Sequence, residues 1–409
     1  MTRESDTQHP AQGALRIVAL QEKAPENRVA LVPDSIQQCR AMGLTAVIQR
    51  GAGSRAGFPD EQYENAGATL ADEVDTGPDD IIVALSMPAR EVINQMGAGA
   101  TLISFVSAMR DQEAVALCQS RGITLLALEL LPRISRAQTS DALSSQALVS
   151  GYRATILAAE IFPRFFPLLM TAAGTVPPAR VLVLGAGVAG LQAMATAKRL
   201  GAAVSGNDIR AASAEEIRSV GATPIELDLE SVDGAGGYAR QLSQDKAARQ
   251  QELLAPHVAA ADVVITTAAI PNRPAPVLVT EAMVRAMRPG SVIVDLAAET
   301  GGNCTLSVAG KTVEHAGVTI YGAANLPSQM APAASALFAK NMLALASLLV
   351  KEGRINIDLE DEILEGCVLT HEGALRNPAF GEATAQHPAH SGHPEAKKGK
   401  GPGKEHAGE

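Results

Sequence analysis

No tryptophan occurs among the 409 residues, and phenylalanine and tyrosine together supply only 3% of them. Scarce aromatics weigh against a nucleic-acid binder that stacks bases on rings, and against an all-β protein. Basic charge is also short: 34 Lys and Arg against 44 Asp and Glu leave a formal net charge of −10. No basic patch gathers phosphate backbones, so nucleic acid is not expected as a partner. The four cysteines, Cys39, Cys118, Cys304 and Cys367, form no CxxC pair and no zinc-like spacing. Each reads as a small buried or semi-buried residue in a reducing, cytosolic setting. The first fourteen residues are polar and lack the apolar stretch of a secretory signal, which implies no export. The longest uncharged run, Val181 to Ala197, approaches the length of a membrane span,. Its glycines, three within six residues, mark a turn between strand and helix instead, and no membrane span is expected.

What is abundant is aliphatic: hydrophobic residues make up 46%, the filling of parallel sheets flanked by helices. The length predicts two α/β units. Short apolar runs at 16–20, 45–49, 80–85, 101–106 and 123–130 form a first series of strand candidates. Runs at 180–185, 202–208, 262–268, 291–297 and 318–323 form a second. Helix-length segments separate them, the βαβ signature of a parallel sheet. Between the series, 151–174 has helical character interrupted by Pro163 and Pro167,. After them, 335–354 repeats apolar residues at helical spacing and ends Lys-Glu-Gly, a stop signal.

The expected architecture is α/β: two Rossmann-like domains with parallel sheets and a nucleotide cleft between them. The first domain is discontinuous, 15–145 and 330–380, and 146–329 is the nucleotide-binding domain. Residues 1–14 and 381–409 are expected to be disordered. The tail's four histidines lack a rigid scaffold, so no metal is assigned.

GAGVAG (185–190) follows the strand candidate RVLVL directly and opens a helix-compatible run. In that setting Gly185 makes the tight turn, Gly187 admits a pyrophosphate close to backbone N–H groups, and Gly190 lets helix and strand pack closely. Eighteen residues beyond Gly190, Asp208 closes the second strand. A carboxylate there accepts hydrogen bonds from ribose hydroxyls and repels a 2′-phosphate, which selects NAD(H) over NADP(H), although Arg210 leaves room for phosphate tolerance.

A dehydrogenase of alcohols, amino acids or hydroxy acids needs a general base. The first-domain strand ends, where ligands of a parallel sheet sit, read ALSMP (84–88) and FVSAM (105–109), with neither Lys nor His,. His257, His315 and His371 lie beside helix ends or turns and are expected in core or surface roles. The expected site thus lacks an acid–base pair.

Seven stretches then carry a resemblance: ENRVALVPDSI (26–36), PRISRAQTSDALSSQ (132–146), MTAAGTVPPARVLVLGAGVAGLQAMATAKRLGA (170–202), GGYA (236–239), PAPVLVT (274–280), PGSVIVDLAAETGGNC (289–304) and LFAKN (337–341). Across nearly all of 15–380 the chain resembles the alanine dehydrogenase and transhydrogenase superfamily. Within it the chain resembles the NAD(H)-binding α subunit, domain I, of proton-translocating NAD(P) transhydrogenases. Alanine dehydrogenases carry a lysine and a histidine in the windows matching ALSMP and FVSAM; both are absent here. Hydride passage between two nicotinamides moves no substrate proton at the reacting carbon, so their absence agrees with a transhydrogenase.

The resemblance implies that Arg133, Gln138, Asp141 and Ser144 surround the nicotinamide and its ribose. It adds contacts from Ile134, Ser135, Thr139 and Ser140, from Val188 and Ala189, from Ile209 and Arg210, and from Gln250 and Ala269. It places Gly237 and Tyr238 at the tip of a mobile loop, for which a plain flexible turn is the alternative. Ser140 or Asp141 has a second explanation as a helix cap. Arg28 matches the arginine that holds the substrate carboxylate in alanine dehydrogenases; without the Lys and His, a structural or loop-anchoring role is expected. The resemblance further implies a homodimer, an NADP(H)-binding β subunit, a separate small membrane subunit, and a cytoplasmic position peripheral to the cytoplasmic membrane. Two other functions stay open: an alanine dehydrogenase-like enzyme, and an NAD(H) sensor without chemistry.

Overall fold

The computed structural model describes residues 15–108, 110–210, 212–228, 244–270 and 273–377. The terminal segments 1–14 and 381–409, and the loop with Gly237 and Tyr238, lie outside the described residues.

Aliphatic runs of the first series form β1 (Arg16–Ala19), β2 (Thr45–Gln49), β4 (Asp80–Ser86), β5 (Thr101–Phe105) and β6 (Thr124–Ala127), with a short β3 (Thr69–Ala71) at one edge. These six are parallel. Two strands from the far end of the chain, β18 (Val368–His371) and β19 (Ala374–Leu375), add antiparallel beyond β6. The order is β19-β18-β6-β5-β4-β1-β2-β3. Ile81 to Leu85 of β4 are buried on both faces, which is why this strand reads as a continuous apolar run rather than an alternating one.

One face of this sheet is covered by the helix Ala331–Leu349, whose Phe338, Met342, Leu345 and Leu349 enter one core with Ile17, Ile48 and Ile81. Phe338 also meets Phe105 at 5.7 Å between ring centroids. Burying one such side chain contributes roughly 2–3 kcal/mol. The stretch Leu326–Leu349 is long and apolar enough to cross a membrane by composition alone, but 56% of it is buried inside the protein.

The second sheet comprises β9 (Arg180–Leu184), β10 (Ala203–Asn207), β11 (Thr223–Pro224), β12 (Val263–Thr266), β13 (Val292–Asp295) and β15 (Val318–Gly322), all parallel, plus β14 (Thr312–His315) antiparallel to β15. Its order is β11-β10-β9-β12-β13-β15-β14, with β10 and β12 flanking the strand that feeds the glycine turn.

Three local expectations are corrected. The run 123–130 is strand only to Ala127; Leu128–Leu130 curl into a 3₁₀ turn that buries Leu128 and turns the Glu129 carboxylate onto Val106 N at 2.8 Å. The central helix runs Ala142–Ile161 and ends before Pro163, because the proline holds Phe162 extended,. The chain then forms a hairpin, β7 (Leu169–Thr171) and β8 (Gly174–Val176), rather than a bent helix. Lys351-Glu352-Gly353 does not end a helix: the helix stops at Leu349, and Glu352 and Gly353, both at positive φ, turn the hairpin β16 (Val350–Lys351) to β17 (Arg354–Ile355),.

Candidate nucleotide-binding site

The strand β9 delivers the chain into Gly185, at φ +106°, and the helix Val188–Arg199 begins three residues later. A Cβ on Gly185 would stand 2.5 Å from Thr267 Oγ1, and one on Gly190 would stand 1.9 Å from the carbonyl oxygen of Gly185. Both glycines are therefore required by the protein's own packing. Gly187 is different: its φ of −72° suits any residue, and a Cβ there would meet no protein atom within 4 Å. The space it keeps lies before the first N–H groups of a helix, where unpaired donors favour an anion. Val188 is exposed and Ala189 half-buried at that rim.

Asp208 is the first residue after β10. Its Oδ2 accepts from Ala186 N at 2.7 Å, and its Oδ1 accepts from Arg210 N at 3.0 Å and Arg210 Nε at 3.1 Å. Arg210 Nη2 donates to the Ala186 carbonyl at 2.9 Å and to Glu216 Oε2 at 3.2 Å. The carboxylate is thus tied into the glycine turn and paired with an arginine, rather than standing free for a ribose as the sequence suggests. Beside it lies a recess of about 180 Å³ lined by Asp208, Ile209, Arg210, Ser213, Pro224 and Glu226, among others.

The segment 133–146 leaves the end of the first sheet. Ser135–Ser140 form a 3₁₀ turn in which Ala137 and Ser140 are buried while Arg133, Ser135, Gln138 and Thr139 are exposed. Ile134, half-buried, packs against the first core. Arg136 holds Asp361 bidentately at 2.6 and 2.8 Å, and Asn341 Nδ2 donates to the Thr139 carbonyl at 2.8 Å. Asp141 is the N-cap of the helix Ala142–Ile161: Oδ1 accepts from Ser144 N at 2.9 Å and Oδ2 from Ser144 Oγ at 2.5 Å. The capping explanation therefore accounts for Asp141 and Ser144 together.

The same helix joins the two halves. A Cβ on Gly151 would lie 2.0 Å from the Ala189 carbonyl oxygen, so the helix rests directly on the first turn of the helix Val188–Arg199. Seven residues separate Ser144 from Gly151, roughly 10 Å along the axis. The polar segment and the glycine turn are brought that close by one rigid element. Ala269 is exposed in the loop after β12, and Gln250 is buried on the helix Gln244–Ala260.

Several groups escaped the sequence reading. Asp295, fully buried at the end of β13, accepts from Thr266 Oγ1, Ala297 N, Cys304 N and Ser307 Oγ at 2.6–3.0 Å. It shapes the loop that delivers Asn303 to Ala268. An acid closing the run VIVD was the available signal. The first-sheet strand ends hold no Lys or His, but they are not free of titratable groups. Glu22 accepts from Leu85 N at 2.6 Å and Ser86 Oγ at 2.8 Å, and burial pushes its carboxyl up. Burial pushes Glu129 up to about 7, against the hydrogen bond from Val106 N that lowers it.

Arg28 is enclosed. Nε and Nη2 donate to Glu26 Oε1 and Oε2 at 2.8 and 2.7 Å, Nη1 to Gln146 Oε1 at 2.8 Å, and Nη2 to Asn325 Oδ1 at 3.2 Å. Burial alone would raise the Glu26 carboxyl; Arg28 and Asn325 bring it down to about 2. The expected anchoring role is what this geometry performs: one guanidinium joins the 26–28 loop, the central helix and the segment leaving β15.

The family model described as alanine dehydrogenase/PNT, C-terminal domain, matches residues 154–378, and the corresponding N-terminal domain matches 18–150. The chain belongs to the alanine dehydrogenase/PNT family. The first of the separately encoded pieces of NAD(P) transhydrogenase subunit alpha from Rhodospirillum rubrum is 44% identical over 379 residues, covering 90% of this chain and 99% of that protein. The NAD(P) transhydrogenase subunit alpha of Haemophilus influenzae is 44% identical over 365 residues, covering 88% of this chain and 71% of that protein. A solved structure of transhydrogenase from Sinorhizobium meliloti matches with a TM-score of 0.80 at 41% identity, over 88% of this chain and 99% of that one. In family terms, the N-terminal match contains the 133–146 segment, and the C-terminal match contains the glycine turn, Asp208, Gln250 and Ala269.

Proposed function

We propose that this chain is the NAD(H)-binding subunit of a proton-translocating NAD(P)+ transhydrogenase. The observation that carries the proposal is the pairing of an open Gly187 turn with first-sheet strand ends that hold neither Lys nor His. The residues fit a dinucleotide: Gly187 leaves room before the helix N-terminus, and Asp208 stands at the end of the adjacent strand. When bound, NADH supplies a transferable hydride, and NADP+ on a partner β subunit receives it. The chain's residues need only bind and orient. The Gly185, Gly187, Val188, Ala189 and Gly190 turn holds the pyrophosphate, and Asp208 with Ile209 and Arg210 holds the adenosine ribose. Arg133 and Gln138 orient the nicotinamide from the exposed face of the 3₁₀ turn, and Asp141 and Ser144 fix that turn through the helix cap. Ile134, Ser135, Thr139, Ser140, Gln250 and Ala269 complete the contact surface, with Gly237 and Tyr238 in the covering loop.

The proposed division assigns 15–145 and 330–380 to one domain and 146–329 to the nucleotide-binding domain. Homodimer formation is supported by the hairpin β7–β8 and its approach, where Phe165, Leu168 and Met170 are exposed, Met170 to 81%,. Proton translocation belongs to membrane subunits, against which this chain is peripheral on the cytoplasmic side.

The enclosure of Arg28 weighs against an alanine dehydrogenase, because its donors are directed to Glu26, Gln146 and Asn325. The deciding experiment mixes the purified chain with an NADP(H)-binding subunit and both nucleotides, and separately supplies alanine and NAD+. Hydride exchange without alanine oxidation is the expected result. Alanine oxidation would overturn the proposal in favour of the dehydrogenase, and NADH binding with neither reaction would favour a sensor.

A further inference from the structure

The corner that faces the adenosine ribose in the proposed site contains a cation as well as an acid. Arg210 sits two residues past Asp208 and fills acceptor positions on both carboxylate oxygens, through Nε to Oδ1 at 3.1 Å and Nη2 to Oδ2 at 3.4 Å. Ala186 N and Arg210 N occupy the remaining lone pairs. A carboxylate offers about four acceptor sites, so ribose hydroxyls that bind Asp208 compete with Arg210 for it. A guanidinium released there would be a ready fork for phosphate. Repulsion by Asp208 alone would then leave a phosphate-binding group beside the ribose.

Glu216 answers that difficulty. It lies in the first turn of the helix Ser213–Ser219, with Oε2 at 3.2 Å from Arg210 Nη2. The Ala186 carbonyl accepts from the same nitrogen at 2.9 Å. Ser213 Oγ donates to the Arg210 carbonyl at 2.6 Å and steadies its backbone. These contacts hold Arg210 at the site whether or not it keeps Asp208. The guanidinium side chain is 17% exposed and Glu216 40% exposed, so the pair is partly screened and its effect on selectivity is moderate.

We propose that Glu216 is a specificity-determining residue for NAD(H) over NADP(H): it retains Arg210 when Asp208 turns to the ribose, so the guanidinium does not receive a 2′-phosphate. The inference rests on the NAD(H)-binding reading above. It makes Arg210 a cation balanced by two acids, Asp208 in the ligand-free chain and Glu216 throughout.

The test uses the full chain with Glu216→Gln, Glu216→Ala, and Glu216→Gln combined with Arg210→Ala. NADH and NADPH are titrated by nucleotide fluorescence at low ionic strength, with thermal unfolding to confirm each variant is folded. Either single change should tighten NADPH about tenfold while moving NADH no more than about threefold, a scale set by a partly exposed ion pair. The double change should remove the gain, and added salt should shrink it. Unaltered NADPH affinity in both Glu216 variants, or a gain that survives Arg210→Ala, would overturn the proposal. Failure of the unmodified chain to bind NADH overturns the underlying reading instead, and is seen before any variant is made.

Discussion

Asn303 and Ala268 are joined by two hydrogen bonds: Asn303 Oδ1 accepts from Ala268 N at 3.0 Å, and Asn303 Nδ2 donates to the Ala268 carbonyl at 2.9 Å. The same Nδ2 donates to the Pro276 carbonyl at 2.7 Å. One fully buried amide thereby fixes the loop after β12, with Ala269 at its exposed edge.

Asn303→Asp should therefore be costly despite its near-identical shape. The new carboxylate can still accept from Ala268 N, but two buried carbonyls lose their donor, at about 2–4 kcal/mol in total. Urea unfolding measures the loss; a variant as stable as the parent would show that the clamp is not needed.

The three glycines of the turn should separate by experiment. Gly187→Ala meets no protein atom, so its stability should stay within about 1 kcal/mol of the parent, while NADH affinity drops by about tenfold or more from crowding of the pyrophosphate. Gly190→Ala places a Cβ 1.9 Å from the Gly185 carbonyl oxygen and should lower stability by roughly 1–3 kcal/mol. Equal effects of the two changes on unfolding would contradict this division.

Glu129 should make stability fall with rising pH. Its carboxyl is pushed from about 4.5 to about 7 in the folded chain, so the folded state keeps a proton that the unfolded chain releases. The contribution is fully present below about 4.5 and is lost as pH rises through about 7,. Glu129→Gln stays neutral and should match the parent at pH 4.5 but exceed it at pH 8, by up to about 3 kcal/mol. Parallel melting curves of the two proteins from pH 4.5 to 8 would refute it.

Arg133→Ala and Gln138→Ala test the proposed orientation of the nicotinamide. Binding should depend mainly on the pyrophosphate and ribose contacts, so NADH affinity should weaken less than about threefold while hydride exchange slows at least about tenfold. Titration and turnover measured on the same preparations decide it, and equal losses in both would assign these residues to binding alone.

The buried strands were legible because their signal is local. β4 and β9 are continuous aliphatic runs, and GAGVAG declares its turn through backbone requirements that a few consecutive residues satisfy. The edge strands β3, β11 and β19 span only two or three residues with no buried position, which leaves no period to read. β18 is buried, yet its pairing with β6 joins residues about 245 positions apart, such as Thr370 and Leu125. Asp141 was legible in two ways, as a cap and as a site residue. Its bonds to Ser144 N and Oγ identify the cap.

Two parallel aliphatic series, the glycine turn with an acid at the next strand end, and the lack of Lys or His where a dehydrogenase base would stand are all written in the order of residues. How the charged groups are used is not; packing assigns it. Arg28 reaches Gln146 and Asn325, Glu129 reaches Val106 N, and Arg210 divides itself between Asp208 and Glu216. A side chain carries its charge from the sequence, but its partner is set by which segments the packed sheets and helices bring within about 3 Å. Gly151 makes the same point without charge: its missing Cβ matters only because Ala189 lies against it.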